Sequence, residues 1–127
     1  MLFRSSGHIK LVDIEQETLM AGLSCGEVSR VAWPILRKSV KHALTFDDTG
    51  VVPMMRWLAN PTDANRPAIE GGECSASGLI GVMAAAQDPA LRAAIGLTED
   101  SSVLVFGTEG ATDPELYAAV AFSQSPL

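Results

Sequence analysis

Residues 103–115 constrain the fold more than any other stretch of this chain. Residues 103–106 are four consecutive apolar residues, Val-Leu-Val-Phe, a pattern that is typical of a strand buried on both faces in a parallel sheet. The next residues turn the chain sharply, because Gly107 and Gly110 reach backbone conformations closed to other residues, and Thr108 between them offers a hydroxyl.

A helix is predicted directly after this turn. Thr112 and Glu115 have the spacing of a capping box, and Pro114 lies in the first turn, where its missing N–H costs nothing. A buried strand, a glycine turn and a capped helix together indicate an α/β fold. In open α/β sheets ligands bind just past the carboxyl ends of the strands, so this turn is the first place to expect a site.

Length and composition favour one globular domain and exclude several function classes. At 127 residues the chain predicts a single α/β domain over residues 1–127. The net charge of −6, with no clustered Lys or Arg, counts against nucleic-acid binding. The longest apolar run, residues 79–86, is far too short for a membrane span, and the first dozen residues lack a signal-peptide core. Two cysteines in an acidic chain fit a reducing cytoplasm.

The order of predicted elements supports a parallel α/β layer. Helices are predicted from near Trp33 to residue 41, over 51–58, over 76–87 and over 89–95 with an end at Gly96, and strands are predicted at 9–12, 43–46, 68–69 and 103–106. Alternation of strands and helices is typical of a parallel sheet.

Candidate chemistry narrows to two glycine turns. Neither His8 nor His42 has a partner at metal-ligand spacing. The glycine-rich turns at 71–78 and 107–110 do not supply a Gly-x-Ser-x-Gly elbow, and a phosphate-binding Walker loop is absent. The turns at residues 71–75 and 107–110 remain. Each leads into a helix N-terminus, which favours anionic or polar ligand groups. On physical grounds alone, ordinary strand-to-helix turns are the favoured interpretation of both.

Four segments carry a resemblance to a known family. Residues 18–27, residues 55–56, residues 72–73 and residues 102–117 resemble the C-terminal portion of diaminopropionate ammonia-lyase, a fold type II, tryptophan-synthase-β-like enzyme that uses pyridoxal phosphate. The resemblance spans roughly residues 8 to 121. It implies a partial Rossmann-like three-layer α/β domain with a small, mostly parallel sheet. The implied reaction converts 2,3-diaminopropionate to pyruvate and ammonia, a cytoplasmic step of amino-acid metabolism.

The resemblance also implies the cofactor-binding residues. Thr108 would lie beside the pyridine nitrogen of pyridoxal phosphate, with Ser75 as the second candidate hydroxyl, and residues 18–27 would face the substrate entrance or a domain interface. Cys74 and Gly107 stand where family members often carry serine. The implied cofactor-binding set is Thr108, Gly107, Gly110, Gly72, Glu73, Cys74 and Ser75, with no catalytic residue and no metal ligand.

The chain lacks parts that the family reaction needs. Lys10, Lys38 and Lys41 do not match the family's Schiff-base lysine motif, and the glycine-rich phosphate cup is missing, so we expect this chain to be inactive alone. The expected partners are an amino-acid substrate in the intact enzyme and either a second copy or a missing N-terminal half. Three alternatives stay open, namely a non-catalytic association module, a fragment of a related threonine dehydratase or synthase-like enzyme, and an unrelated small ligand-binding protein.

Overall fold

Short helices joined by irregular segments make up the part of the chain that the structure describes, which is residue 9 and residues 11–123 of a computed structural model. The described elements are a 3₁₀ turn at Ala21–Leu23, α1 (Trp33–Ser39), a 3₁₀ turn at Asp48–Gly50, α2 (Val51–Ala59), α3 (Glu73–Gln87), α4 (Pro89–Ile95) and α5 (Pro114–Phe122). The chain divides into two units between residues 45 and 46, while the prediction of a single domain stays a prediction.

The first unit is organised by hydrogen bonds of the 18–27 loop. The Val12 amide donates to the Gly26 carbonyl oxygen over 2.9 Å, and the Ser24 hydroxyl donates to the Glu17 carboxylate over 2.5 Å. Helix α1 begins at Trp33, with a proline in its first turn, as the sequence predicts. This unit therefore contains a hydrogen-bonded loop and one short helix.

The second unit buries an apolar core between α2, α3 and α5. Helix α2 presents Val51, Met54, Met55 and Leu58 on one side, at helical spacing, and Val51 and Met55 are completely buried. Burying such side chains contributes about 1.5–3 kcal/mol each relative to leaving them exposed. Helices α3 and α5 pack against α2 and supply Ala76, Ile80, Ala85, Tyr117 and Ala121 to this core.

The end of α5 is fastened to α2 by two polar side chains. Arg56 Nε donates to the Val120 carbonyl oxygen over 2.9 Å, and Asn60 Nδ2 donates to the Ala121 carbonyl oxygen over 2.9 Å. These bonds satisfy carbonyls that have no partner inside a helix, and the guanidinium lies at the negative end of the helix dipole.

Two predicted helix starts differ from the structure. Helix α3 begins at Glu73, three residues before the predicted start at residue 76. Helix α5 is capped by Asp113, whose carboxylate accepts a hydrogen bond from the Leu116 amide over 3.0 Å, so the predicted Thr112 capping box is wrong. Asp113 is one residue closer to the helix and reaches the same free amides. Helix α4 ends as predicted, at Gly96 in the left-handed conformation with a φ of 69°.

The predicted sheet does not form among the described residues. Segments 43–46, 68–69 and 103–106 are irregular there, as are residues 9, 11 and 12, whereas residue 10 lies outside the described part. The expectation that 103–106 is buried on both faces is wrong, since Leu104 and Phe106 are 78% and 76% exposed. A strand needs a neighbour for its backbone groups, and those of 103–106 find none in the described structure.

Candidate functional site

The two glycine turns singled out in the sequence meet in the structure, and Glu109 joins them. The Gly72 amide donates to the Glu109 carbonyl oxygen over 3.1 Å, and the Cys74 amide donates to Glu109 Oε2 over 2.7 Å. One residue of the 107–110 loop therefore binds the first turn of α3 through both its backbone and its side chain.

The Ser75 hydroxyl bonds to both backbone groups of Glu109. Its oxygen donates to the Glu109 carbonyl oxygen over 2.5 Å and accepts from the Glu109 amide over 2.8 Å. A hydroxyl has one proton to donate, so the donor capacity of Ser75 is fully used within the protein. Ser75 is also 8% exposed. Its hydroxyl holds the loop in place.

The Glu109 carboxylate lies where the N-terminus of α3 would receive an anion. Helix N-termini attract negative groups because their first amides lack partners and carry partial positive charge. The sequence suggests that a ligand could use this position, but Glu109 fills it with the protein's own carboxylate. This contact explains why α3 starts at Glu73.

Gly72 is required here by the close approach of the two turns. A Cβ atom at this position would lie 2.6 Å from the Gly110 carbonyl oxygen and 2.8 Å from Glu109 Cγ. Gly107 is less constrained, because its Cβ would lie 3.3 Å from Ser75 Oγ. The two turns are thus packed backbone against backbone.

Thr108 lies on the open side of this arrangement. Its side chain is exposed, and no hydrogen bond of its hydroxyl occurs within the described residues. Glu73, on the first turn of α3, is half-buried, and Cys74 is 7% exposed. The loop therefore presents Thr108 outward while Glu109 and Ser75 hold it from behind.

A surface cavity of about 380 Å³ lies next to the same loop. Its walls are mostly apolar and include Ile69, Glu70, Ala111, Tyr117, Ala118 and Phe122. Glu70 Oε1 accepts a hydrogen bond from the Ala111 amide over 3.3 Å. This contact connects the cavity wall to the residue that follows the Gly107–Gly110 turn.

Electrostatic and metal features are few in the described structure. Asp47 caps the 3₁₀ turn before α2. Two hydrogen bonds from Thr49 lower the pKa of its carboxyl, and the bond from the hydroxyl has a larger effect than the bond from the amide. Residues 9 and 11–123 contain no cluster of side chains able to hold a metal ion. The same residues form no helix of the length and apolar character that crossing a membrane requires.

Glu109 is the residue that sequence reasoning misses. Glu109 lies in a loop between Gly107 and Gly110. It hydrogen-bonds Ser75 and Cys74, which stand 34 and 35 positions earlier in the chain. The glycines on both sides are the available signal, because they leave room for backbone to approach. Nothing local shows which backbone approaches.

Comparison with known proteins points to one enzyme. No family model matches the chain. It is 39% identical over 125 residues to diaminopropionate ammonia-lyase of Escherichia coli strain K12, an alignment that covers 94% of this chain and 31% of the relative. It is 31% identical over 115 residues to diaminopropionate ammonia-lyase of Salmonella typhimurium strain LT2, covering 86% of this chain and 28% of the relative.

Solved structures of the Escherichia coli enzyme match the backbone as well. The complex with D-serine has a TM-score of 0.70 and 37% identity, covering 80% of this chain and 27% of that chain. The complex with an aminoacrylate-PLP azomethine reaction intermediate has a TM-score of 0.71 and 37% identity, covering 83% of this chain and 28% of that chain. By sequence and by backbone structure, this chain is a homologue of diaminopropionate ammonia-lyase that spans 31% of the length of the Escherichia coli relative.

Proposed function

We propose that this chain is the C-terminal portion of a pyridoxal-phosphate-dependent diaminopropionate ammonia-lyase, which converts 2,3-diaminopropionate to pyruvate and ammonia. The observation that carries the proposal is the outward-facing Thr108 on a loop held by Glu109 and Ser75, in a chain 39% identical to that enzyme. The proposed setting is the cytoplasm, and the proposed substrate is a free amino acid.

The residues of the loop fit the cofactor. Thr108 offers a neutral hydroxyl that no described residue engages, and a hydroxyl can hydrogen-bond a pyridine nitrogen without adding charge. Gly107 and Gly110 add no side chain that would keep a planar ring from the loop. When bound, pyridoxal phosphate supplies the electron sink for the elimination.

The turn before α3 has a supporting part in the proposal. The Thr108 loop packs against the turn formed by Gly72, Glu73, Cys74 and Ser75. The Ser75 hydroxyl makes two hydrogen bonds with Glu109 of that loop. Of the two hydroxyls, Thr108 is therefore our choice for the pyridine nitrogen. Ser75 acts through the position of the loop.

The 127 residues alone are proposed to be inactive. Lys10, Lys38 and Lys41 match no Schiff-base lysine motif, and the sequence contains no glycine-rich phosphate cup. Covalent amine chemistry on a carbonyl cofactor needs a lysine at the cofactor. Thr108 and its supports would orient the ring, while the covalent anchor would come from elsewhere in the enzyme.

The fold type II sheet is likewise part of the proposal. In the complete enzyme, segment 103–106 would pair with a neighbouring strand and cover Leu104 and Phe106, which are exposed here. The Rossmann-like, three-layer arrangement would then be completed by chain beyond these residues. The 37% identity and the TM-score of 0.71 with the Escherichia coli enzyme support this arrangement.

A chimera tests the proposed function directly. Residues 8–121 would replace the homologous stretch of the Escherichia coli enzyme, and pyruvate release from 2,3-diaminopropionate would be followed by coupled reduction. We expect the chimera to bind pyridoxal phosphate, seen as a borohydride-sensitive absorption band, and to release pyruvate. The chain alone should show neither. A chimera that binds the cofactor without forming pyruvate would contradict the proposed reaction.

Thr108 is tested in the same chimera. Thr108→Ser keeps the hydroxyl and should keep the absorption spectrum. Thr108→Val keeps the shape without the hydroxyl, so it should shift the band and lower kcat by about tenfold, the factor that corresponds to one neutral hydrogen bond of about 1.4 kcal/mol. Equal spectra and rates for the two variants would remove Thr108 from the cofactor site.

A second candidate is an association module, which the exposed side chains of Leu104 and Phe106 favour. Exposed apolar patches of this kind often mark interaction surfaces. The module would form a homodimer or bind the missing half of the enzyme. Sedimentation velocity over a hundredfold concentration range tests self-association, and a monomer at every concentration would count against the homodimer.

A further inference from the structure

An open, largely apolar surface cavity lies beside α5. It lies in the second unit, between the C-terminal end of α2, residues 68–70 and α5, and its volume is about 380 Å³. Small-ligand pockets are commonly of this order, largely apolar with a few convergent polar groups. The cavity is open in part because four lining residues have only a methyl side chain, namely Ala59, Ala68, Ala111 and Ala118.

Tyr117, which lines this cavity, carries a hydroxyl with no hydrogen-bond partner among the described residues. The residue is 8% exposed, yet none of the described residues hydrogen-bonds its hydroxyl. Buried phenol groups are normally hydrogen-bonded. The oxygen is not among the inaccessible, unpartnered polar atoms of the described structure, so it reaches solvent. Tyr117 is also one of the residues that line the cavity.

Glu70 supplies a carboxylate with spare capacity. It lines the cavity and is exposed. Its bond from the Ala111 amide is 3.3 Å long, which lies at the weak end of N–H···O hydrogen bonds. A carboxylate has about four acceptor positions, so Glu70 can accept further hydrogen bonds from a ligand.

Aromatic edges and faces complete the wall. The rings of Tyr117 and Phe122 are perpendicular, with centroids 6.2 Å apart, and both residues line the cavity. Aromatic faces attract cations as well as apolar groups. A carboxylate beside apolar and aromatic walls favours a cationic head on an apolar body and disfavours anions.

We propose that this cavity binds a small protonated primary amine with an apolar body, whose ammonium group hydrogen-bonds Glu70 and the Tyr117 hydroxyl. An ammonium group has three donors, enough for both oxygens. The inference is independent of the proposed enzymatic function, because it uses neither Thr108 nor the cofactor. Since Glu70 also holds the Ala111 amide, that amide should report the binding.

The experiment is a ¹H–¹⁵N NMR titration of the 127-residue chain with 2-phenylethylamine and, separately, with 2-phenylethanol, which has the same body without the charge. We expect saturable shifts at the Ala111 and Ala118 amides with both probes. The amine should bind about fivefold tighter, the size expected for one partly exposed ion pair. Shifts that do not saturate, or that fall elsewhere, would overturn the proposal.

Variants separate charge recognition from cavity filling. Glu70→Gln should remove the preference for the amine and leave binding of the alcohol unchanged. Ala118→Leu should fill the cavity and abolish binding of both probes. Ala119→Leu is the matched control, because Ala119 is the next residue of α5, is exposed and does not line the cavity. Equal binding by the Ala118→Leu and Ala119→Leu variants would refute the site.

An alternative occupant has a distinct outcome. If the cavity instead selects an apolar group, such as a side chain of another polypeptide, without regard to charge, the amine should bind no more tightly than the alcohol and Glu70→Gln should have no effect. That result would also overturn the proposal. The test of pyruvate release in the chimera is unaffected by either outcome.

Discussion

Replacing Glu109 by alanine should destabilise the second unit through the N-terminus of α3. The carboxylate accepts a 2.7 Å hydrogen bond from the Cys74 amide, at the start of a helix of 15 residues. A hydrogen bond to a charged group contributes about 1.5–3 kcal/mol when buried, and a negative group at a helix N-terminus about 0.3–1 kcal/mol. Because Glu109 is only half-buried, we expect a net loss of about 1–2 kcal/mol, since solvent screens part of these terms.

Urea unfolding measures this loss. With a urea dependence of about 1–2 kcal/mol/M for a small unit, the midpoint should fall by about 1 M, and the Cys74 amide should exchange faster with solvent. Glu109→Gln keeps an acceptor without the charge and should recover about half of the loss. The control is Glu99→Ala, since Glu99 is exposed and bonded to no described side chain. If Glu109→Ala and Glu99→Ala unfold at the same urea concentration, the carboxylate does not cap α3.

Three further predictions concern the same unit. Gly72→Ala should lower the free energy of unfolding by about 1–3 kcal/mol, because the added Cβ would lie 2.6 Å from the Gly110 carbonyl oxygen. Gly71→Ala, whose Cβ would lie 3.3 Å from a side-chain carbon, should cost clearly less, and equal urea midpoints would contradict this reasoning. Arg56→Ala removes a 2.9 Å bond to a carbonyl of α5 and should cost about 1–2 kcal/mol; an unchanged thermal midpoint would show that the bond contributes nothing.

The pKa of Asp47 is lowered from its ordinary value of 3.8, so its ionised carboxylate stabilises the fold above that pH, and this contribution is lost as pH falls through the lowered pKa. The difference in the free energy of unfolding between the unaltered protein and the Asp47→Asn variant should therefore shrink below about pH 4. A difference that stays constant with pH would refute this reasoning.

Helices whose ends are set by neighbouring residues could be predicted from the sequence. The end of α4 at Gly96 depends on a glycine that reaches a φ of 69°, and the start of α1 depends on a proline in its first turn. These signals act within a few residues, so they are visible in a linear sequence. The capping residue of α5 was misassigned by one position, which is the usual uncertainty of helix ends.

Features set by distant residues could not be predicted in the same way. The start of α3 depends on Glu109, whose carboxylate bonds an amide 35 positions earlier. The apolar pattern of 103–106 predicts a strand, but a strand forms only with a neighbour, and none is present in the described residues. The resemblance correctly indicated the related enzyme, while the part of each site residue in binding the cofactor stays a prediction.

The contact of Val105 with α3 bears on the tendency of this protein to aggregate. A Cβ at Gly78 would lie 2.6 Å from Val105 Cγ1, so segment 103–106 rests one side chain on α3 while its outer apolar side chains and backbone remain available. Short apolar segments of this kind can seed cross-β fibrils, and charged residues beside them act as gatekeepers. Here the gatekeepers are Glu99, Asp100 and Glu109. The negative charges on these residues should therefore oppose pairing of the exposed segment between molecules.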